Sequence, residues 1–393
     1  MAGGHLVLFR DKLELLVADF HPDLHLLDRR KYEATKGLRR VNDSQTVRWG
    51  IIGPGRIASL VIKDFPYVSG AMPVAVASRS TERAQAFATR HGLARAYGSY
   101  QEIMADEGVD VVYIATPHPQ HHAIALAAIA AGKAALVEKT FTATVAGAEQ
   151  VIAAARQRQV FVMEAMWTRF QPAIVSARAL IDDGAIGEVR QLQADLGVDR
   201  PYDPADRLFD PAQGGGAMLD LGVYVVSFAQ YFLGTPDRIE VSGSLAPTGV
   251  DAEAGLLLGY DDGRVAALLI SLKHHTPGAA RIQGTTGWIE VPPRFHHPHR
   301  LVLHRRGREP ETISRPPLGT GYSHELIEVT ERVRAGDTES AIMPLGDTLA
   351  VQHILNEACE RLGVHHVEDS SLLAPLGVTY SAMALAAEDA TSK

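Results

Sequence analysis

At 393 residues the chain is longer than one hydrophobic core usually serves, which predicts two domains; 46% hydrophobic and 21% charged residues is the balance of a soluble globular protein. With 38 basic against 46 acidic residues the net charge is −8 and no long basic run exists, which argues against nucleic acid and for a small-molecule partner. The single cysteine, Cys359, excludes an intrachain disulfide and a structural cysteine zinc site and reads as a buried apolar residue. No run approaching about 20 apolar residues is seen and the N-terminus lacks a signal-peptide pattern, so no membrane association and a cytoplasmic location are expected.

Residues 1–45 form an extension with two short apolar stretches and a basic segment, read either as an appendage or as an arm for a neighbouring subunit. Residues 46–167 alternate short apolar runs with alanine-rich helical patterns. Strands are expected at Val47–Ile52, Pro73–Ser78, Val109–Ala115, Ala134–Glu138 and Val160–Glu164. Helices are expected at Arg56–Phe65, Thr81–His91, Ser99–Met104, Pro119–Ala131 and Val145–Gln159. Nearly continuously apolar strands separated by helices predict a parallel sheet covered on both faces, a Rossmann-type α/β domain.

From 168 to 375 the pattern changes to a C-terminal α+β domain with an open, largely antiparallel sheet, serving substrate binding and dimerisation. A helix Arg169–Asp182 leads to a strand Glu188–Val198, an irregular loop and a glycine-led helix Gly216–Leu233. Ala254–Tyr260 with Arg264–Leu272, and Arg300–His304 with Glu311–Ser314, read as hairpins, followed by a closing helix Pro344–Leu362. Ala266–Leu272 and Gly255–Leu258 carry more apolar side chains than one helix layer covers, which predicts at least a homodimer through this sheet. The alternative is that helices 169–182 and 344–362 cover it within one chain. Residues 376–393 form a tail, which past Val378 reads as an alanine-rich disordered end.

The motifs lie at strand ends. Gly53-Pro-Gly55-Arg56-Ile57-Ala58 follows the first strand and opens a helix, the order of a dinucleotide site in which glycines let the backbone approach a pyrophosphate. Ser78, Arg79 and Arg83 follow the second strand, where an NAD site offers a carboxylate to the ribose; a serine and two cations match the 2′-phosphate of NADP instead, with NAD left possible. Thr116 and Glu138-Lys139 end two further strands and complete the expected cofactor crevice. Lys139 is suited to hold a substrate hydroxyl or the nicotinamide ribose and to depress a neighbouring phenol's pKa. Asp220 and Tyr224, four apart on a helix, share a face with the chemistry of an acid/base pair. His118 and His121 stand three apart; without a cysteine or acidic cluster beside them, hydrogen bonding to substrate or nicotinamide is expected and no metal. The histidines at His274-His275 and His296-His297-Pro298-His299 read as strand-end and loop residues.

Gly53–Ala58, Thr116–His121, Glu138-Lys139, Met163–Arg169 and Gly214–Tyr224 together resemble the Gfo/Idh/MocA oxidoreductase family, especially its dihydrodiol dehydrogenase and NADP-dependent D-xylose dehydrogenase branch, over Val47 to Asp369. The resemblance implies hydride transfer at a cyclic sugar or vicinal diol carbon, with Lys139, Asp220 and Tyr224 as the catalytic set. It makes Trp167 a substrate-pocket tryptophan offering a flat face, with Arg169 supplying a polar contact beside His118 and His121. Either Tyr224 or Lys139 serves as the base. Thr140 departs from the family's proline, which is expected to loosen a turn, and Tyr224 stands where many members have histidine. A catalytically silent NADP-binding sensor or scaffold is the alternative reading.

Overall fold

The computed structural model describes residues 46–378. The expectations for residues 1–45 and for the tail past Val378 lie outside the described residues.

The first sheet has six parallel strands: β1 (Val47–Ile52), β2 (Ala71–Ala77), β3 (Arg95–Tyr97), β4 (Val111–Ile114), β5 (Ala134–Glu138) and β6 (Val162–Ala165). Their order is β3-β2-β1-β4-β5-β6, the doubly wound dinucleotide-binding arrangement. Every residue of β4, β5 and β6 is buried, because helices cover both faces. On one side pack α3 (Tyr100–Ala105), α4 (His118–Ala130) and α5 (Val145–Arg158), around Ile103, Ile124, Val151 and Ile152. The other face carries α1 (Arg56–Val61), a 3₁₀ continuation through Tyr67 and α2 (Thr81–His91). The expected helix 56–65 thus tightens after Val61, ahead of Pro66, which has no N–H to donate. β3 has only three residues, too few to give a period.

The second sheet has eight strands, in the order β14-β13-β12-β11-β7-β10-β9-β8. In chain order they are β7 (Val189–Gly197), β8 (Arg238–Leu245), β9 (Asp251–Gly259), β10 (Val265–Ser271), β11 (Ala280–Gly284), β12 (Gly287–Val291), β13 (Arg300–Arg305) and β14 (Glu311–Ser314). All pairings are antiparallel except β7 with β10. One face packs on α7 (Val223–Leu233) and α9 (Leu345–Arg361), so Leu256, Leu258, Leu268 and Ile270 are buried. The alternating residues face outward: Leu257 is 49% and Leu269 58% exposed. The helices cover one face only. A depression of about 690 Å³ on the outer face is lined by Gln193, Ser242, Leu257, Leu269 and Arg281 and includes none of the expected site residues.

α6 (Pro172–Asp182) follows a 3₁₀ turn, Trp167–Phe170, and α8 (Ser323–Ala335) was not legible in sequence. Its N-terminus is satisfied from afar: buried Asp64 accepts from Ser323 N (3.0 Å) and Thr320 N (2.9 Å). After α9 the chain returns to the first sheet's helices, where Asp369 N donates to Pro119 O (2.7 Å) and Gln101 Nε2 to Pro375 O (2.6 Å). One correction concerns membranes. Pro211–Leu233 is long and apolar enough to span one by length and composition, where no such run was expected; 83% of its apolar window is buried inside the protein.

Candidate active site

The cofactor crevice is built where the ends of β2, β1, β4 and β5 lie side by side. Gly53 has φ +92, and a Cβ there would lie 2.8 Å from Ala115 O, so only glycine fits the turn. At Gly55 a Cβ would meet nothing within 4 Å, leaving the backbone open to a phosphate. These residues fit a dinucleotide, with Arg56 exposed and Ile57 half-buried at the start of α1. Ser78 is buried and its Oγ accepts from Ser80 N (3.2 Å), while Ser80 Oγ caps α2 through Arg83 N (3.2 Å). Arg79 and Arg83 are exposed beside this cap, and the charge of both acts on the Tyr100 phenol.

Lys139, Asp220 and Tyr224 do come together. Asp220 lies in a π turn, Met218–Gly222, that runs into α7, and Lys139 and the residue after it fasten that turn. Lys139 Nζ donates to Asp220 O (2.8 Å), and Thr140 Oγ1 donates to Leu219 O (2.7 Å). Thr140, expected to loosen a turn, ties the segment after β5 to the π turn through this bond. Lys139 Nζ is also 3.6 Å from Asp220 Oδ1 and 4.6 Å from the centre of the Tyr224 ring, a cation–π contact. Arg207, from the irregular loop after β7, reaches Asp220 Oδ1 at 3.0 Å. Burial alone would raise the Asp220 pKa, but Lys139 and Arg207 outweigh it and hold the carboxyl well below the usual carboxylate range.

The phenol corrects one expectation. Burial, with Glu138 and Asp220 adding negative charge, pushes the Tyr224 pKa well above 10, the opposite of the depression expected beside Lys139. The ammonium sits over the ring face and not beside the hydroxyl. That hydroxyl accepts from Trp167 Nε1 at 3.3 Å. Glu138 is itself buried, accepts from the Tyr113 hydroxyl, and is pushed up by burial.

Three expected substrate contacts are likewise corrected. Trp167 does not offer an open face: it is 8% exposed and stacks against Tyr322 (centroids 4.2 Å) and His297 (4.9 Å). Its indole N–H is its contribution. Arg169 is 1% exposed and its guanidinium is spent on Asp347 (2.6 Å), Gln230 (2.5 Å) and Ser227 (3.2 Å), because a buried cation needs its donors paired. His121 is fully buried, with Nδ1 2.9 Å from Thr140 O and Nε2 2.8 Å from Thr116 O; burial lowers its pKa, so the neutral ring donates its single N–H to one of these carbonyls, and both nitrogens face backbone rather than the crevice. His118 keeps its role open. Its Nδ1 lies 3.2 Å from Gly214 O, an obligate acceptor, which assigns the proton to Nδ1 and leaves Nε2 as a lone-pair acceptor. Burial, then His121 and Arg207, lower its pKa well below 6.5, so the ring is neutral.

Sequence reasoning missed three participants. Arg207 had no motif around it. His296, taken for a loop residue, lies 5.1 Å from the Tyr224 ring and has a buried Nδ1 without a partner; burial lowers its pKa well below 6.5. Tyr322 packs on Trp167 from the segment before α8. The only hint was the density of aromatic and imidazole side chains around His296-His297.

A glycine turn on the first strand of this doubly wound sheet, with a lysine, a carboxylate and a phenol grouped beside it, defines a nicotinamide-dependent oxidoreductase. Residues 47–166 match the oxidoreductase family NAD-binding Rossmann fold of Gfo/Idh/MocA proteins, and residues 174–290 the GFO/IDH/MocA C-terminal domain. The chain is 36% identical over 339 residues to trans-1,2-dihydrobenzene-1,2-diol dehydrogenase from Mus musculus, and equally to that from Homo sapiens; each match covers 82% of this chain and 99% of the relative. Among solved structures, the 3-ketoreductase KijD10 from Actinomadura kijaniata, in complex with NADP and TDP-benzene, matches with TM-score 0.71 and 25% identity over 82% of this chain and 99% of that one. An aldose-aldose oxidoreductase from Caulobacter crescentus shares the fold, with TM-score 0.73 and 24% identity over 81% and 98%. The chain belongs to the Gfo/Idh/MocA oxidoreductase family, on its dihydrodiol dehydrogenase branch. It is an NAD(P)-dependent oxidoreductase acting on CH–OH groups.

Proposed function

We propose that the protein is an NADP-dependent oxidoreductase acting on a hydroxyl or carbonyl carbon of a cyclic sugar or vicinal diol. The observation that carries this reading is the grouping of Lys139, Asp220 and Tyr224 at the mouth of the glycine turn. The dihydrodiol dehydrogenase relatives support a diol, and the NADP complex of the ketoreductase supports the phosphorylated cofactor. Gly53, Gly55, Arg56, Ile57, Thr116 and Glu138 would hold the dinucleotide, and Arg79 with Arg83 its 2′-phosphate. When bound, the nicotinamide supplies or accepts the hydride.

Tyr224, protonated at neutral pH, is poised as the acid that gives its proton to a carbonyl oxygen in reduction and takes it back in oxidation. Its orientation comes from Trp167 Nε1–H and the packed His296 ring. Lys139 holds the same oxygen or the nicotinamide ribose, and its ammonium offsets the negative charge that develops beside Tyr224. Asp220, clamped by Arg207, fixes that ammonium, and neutral His118 Nε2 accepts from a neighbouring substrate hydroxyl. We further propose a homodimer through the outer face of the eight-stranded sheet. Leu257, Leu269 and the Trp288 ring, stacked at 4.4 Å on His304, form its apolar part.

The reading is tested by following NADPH consumption and NADP reduction at 340 nm with a panel of trans-dihydrodiols, aldoses and keto sugars. Turnover on a diol or cyclic sugar, faster with NADP than NAD, is expected. Binding of the cofactor without turnover on any member would overturn it.

A further inference from the structure

A second group of chemistry-bearing side chains lies away from the crevice. Asp251, the first residue of β9, is 0% exposed; Cys359, near the end of α9, is 3% exposed; His366 follows in the extended segment after that helix. A carboxylate oxygen, the Sγ and an imidazole nitrogen of these three all lie within 4.8 Å of one another. Two of the three leave polar atoms unpartnered. Asp251 Oδ2 accepts from Met218 N (2.6 Å), but Oδ1 is buried with no hydrogen bond, and His366 Nε2 is buried with none. Only the backbone N–H groups of Met218, Asp251 and Ala217 favour the Asp251 charge, and no basic side chain is paired with it among the described residues. Burial accordingly pushes its pKa up to about 6 and drives that of the Cys359 thiol well above 9.

An enclosed carboxylate with a bare oxygen is costly unless a cation meets it. We propose that Asp251, Cys359 and His366 bind a divalent zinc-type metal ion, separate from the catalytic site. Thiolate, imidazole and carboxylate form the mixed donor set that suits this borderline-soft ion. With the imidazole neutral, one thiolate and one carboxylate balance a 2+ charge, so the filled site is neutral. A tetrahedral zinc ion with bonds of about 2.0–2.3 Å holds its donors roughly 3.5 Å apart, so small side-chain rotations close the set, with water in the fourth position. The thiol proton, and that of the carboxyl where it carries one, leave to solvent as the ion binds.

The lone cysteine therefore has a use that a search for paired cysteines does not reveal. Its partners lie 108 residues before it and seven after, and only the fold brings the three together. The ion would tie β9, α9 and the returning C-terminal segment together. Asp251 also holds the Met218 N–H, so the site braces the π turn two residues before Asp220.

The test uses the full chain, purified through a strong chelator and exchanged into metal-free buffer. Titration with Zn²⁺ against a chromophoric chelator should give one equivalent bound per chain, and Co²⁺ should give the sulfur-to-metal charge-transfer band of a coordinated thiolate. Cys359→Ser should abolish that band and weaken zinc binding by more than the ~10–100-fold typical of losing a supporting partner. His366→Ala, in a surface segment, should weaken it likewise and covers the case in which Cys359→Ser does not fold. Zinc should also raise the Tm of the wild-type chain and leave that of Cys359→Ser unmoved. No binding at micromolar zinc, cobalt bound without a thiolate band, or unchanged affinity in folded variants would each overturn the proposal.

Discussion

Replacing Arg79 by alanine isolates the group on which the choice between NADP and NAD is argued to rest. Arg79 lies two residues past the end of β2 and is solvent-exposed near the Tyr100 phenol, on which its charge acts; Ser78 beside it is turned inward to Ser80 N and brings no negative charge. A hydrogen bond to a charged group contributes about 1.5–3 kcal/mol, and each ~1.4 kcal/mol is tenfold, so the loss spans roughly 10- to 150-fold. Exposure favours the lower end, because solvent and salt screen the pair. We therefore expect kcat/KM for NADP to fall about tenfold or somewhat more, and kcat/KM for NAD to change by less than about threefold, since NAD has no phosphate to lose. Raising the ionic strength should shrink the wild-type preference toward that of the variant. The assay is initial rates with both cofactors at fixed, saturating substrate. An unchanged NADP/NAD ratio would refute the reasoning and return Arg79 to the solvated surface.

Because the Tyr224 pKa is raised above 10, its acid form persists through neutral pH: reduction should be nearly flat between about pH 6 and 9, while oxidation, which needs the base form, should rise about tenfold per unit over the same range. Profiles of kcat in both directions check this. Arg169→Met should cost about 3 kcal/mol of stability by urea unfolding, toward the lower end for a broken buried pair because Asp347 stays a third exposed, and should leave KM unchanged. Leu269→Glu, at a side chain 58% exposed on the outer sheet face, should convert a dimer of about twice 42.4 kDa to a monomer by light scattering while the thermal transition is retained. A wild-type monomer would remove the dimer proposal.

The first sheet was readable because buried parallel strands announce themselves as unbroken apolar runs between helices, and all five strands expected there exist within a few residues. The glycine turn and the Lys139–Asp220–Tyr224 group were equally visible, since each sits at a strand end or on one helical face. Pairings completed from far along the chain were not. Arg207 reaches Asp220 from an irregular loop, α8 takes its cap from Asp64, and His296 reaches Tyr224 from a loop after β12. The same limit misassigned Arg169, Trp167 and His121. A sequence shows that a cation, an indole or an imidazole lies near a motif, but not that Asp347, Tyr322 or Thr140 already occupies it. Short strands such as β3, β11 and β12, of three to five residues interrupted by glycines or turns, carry too little period to stand out.

Whether Tyr224 moves the proton during hydride transfer is decided by Tyr224→Phe with the best substrate of the panel. The ring and its contacts with Lys139 and His296 remain, and only the hydroxyl is lost. A kcat lower by about 10²-fold or more is expected, with the dissociation constant for NADPH unchanged. Turnover near that of the wild type would contradict it and pass the proton to Lys139.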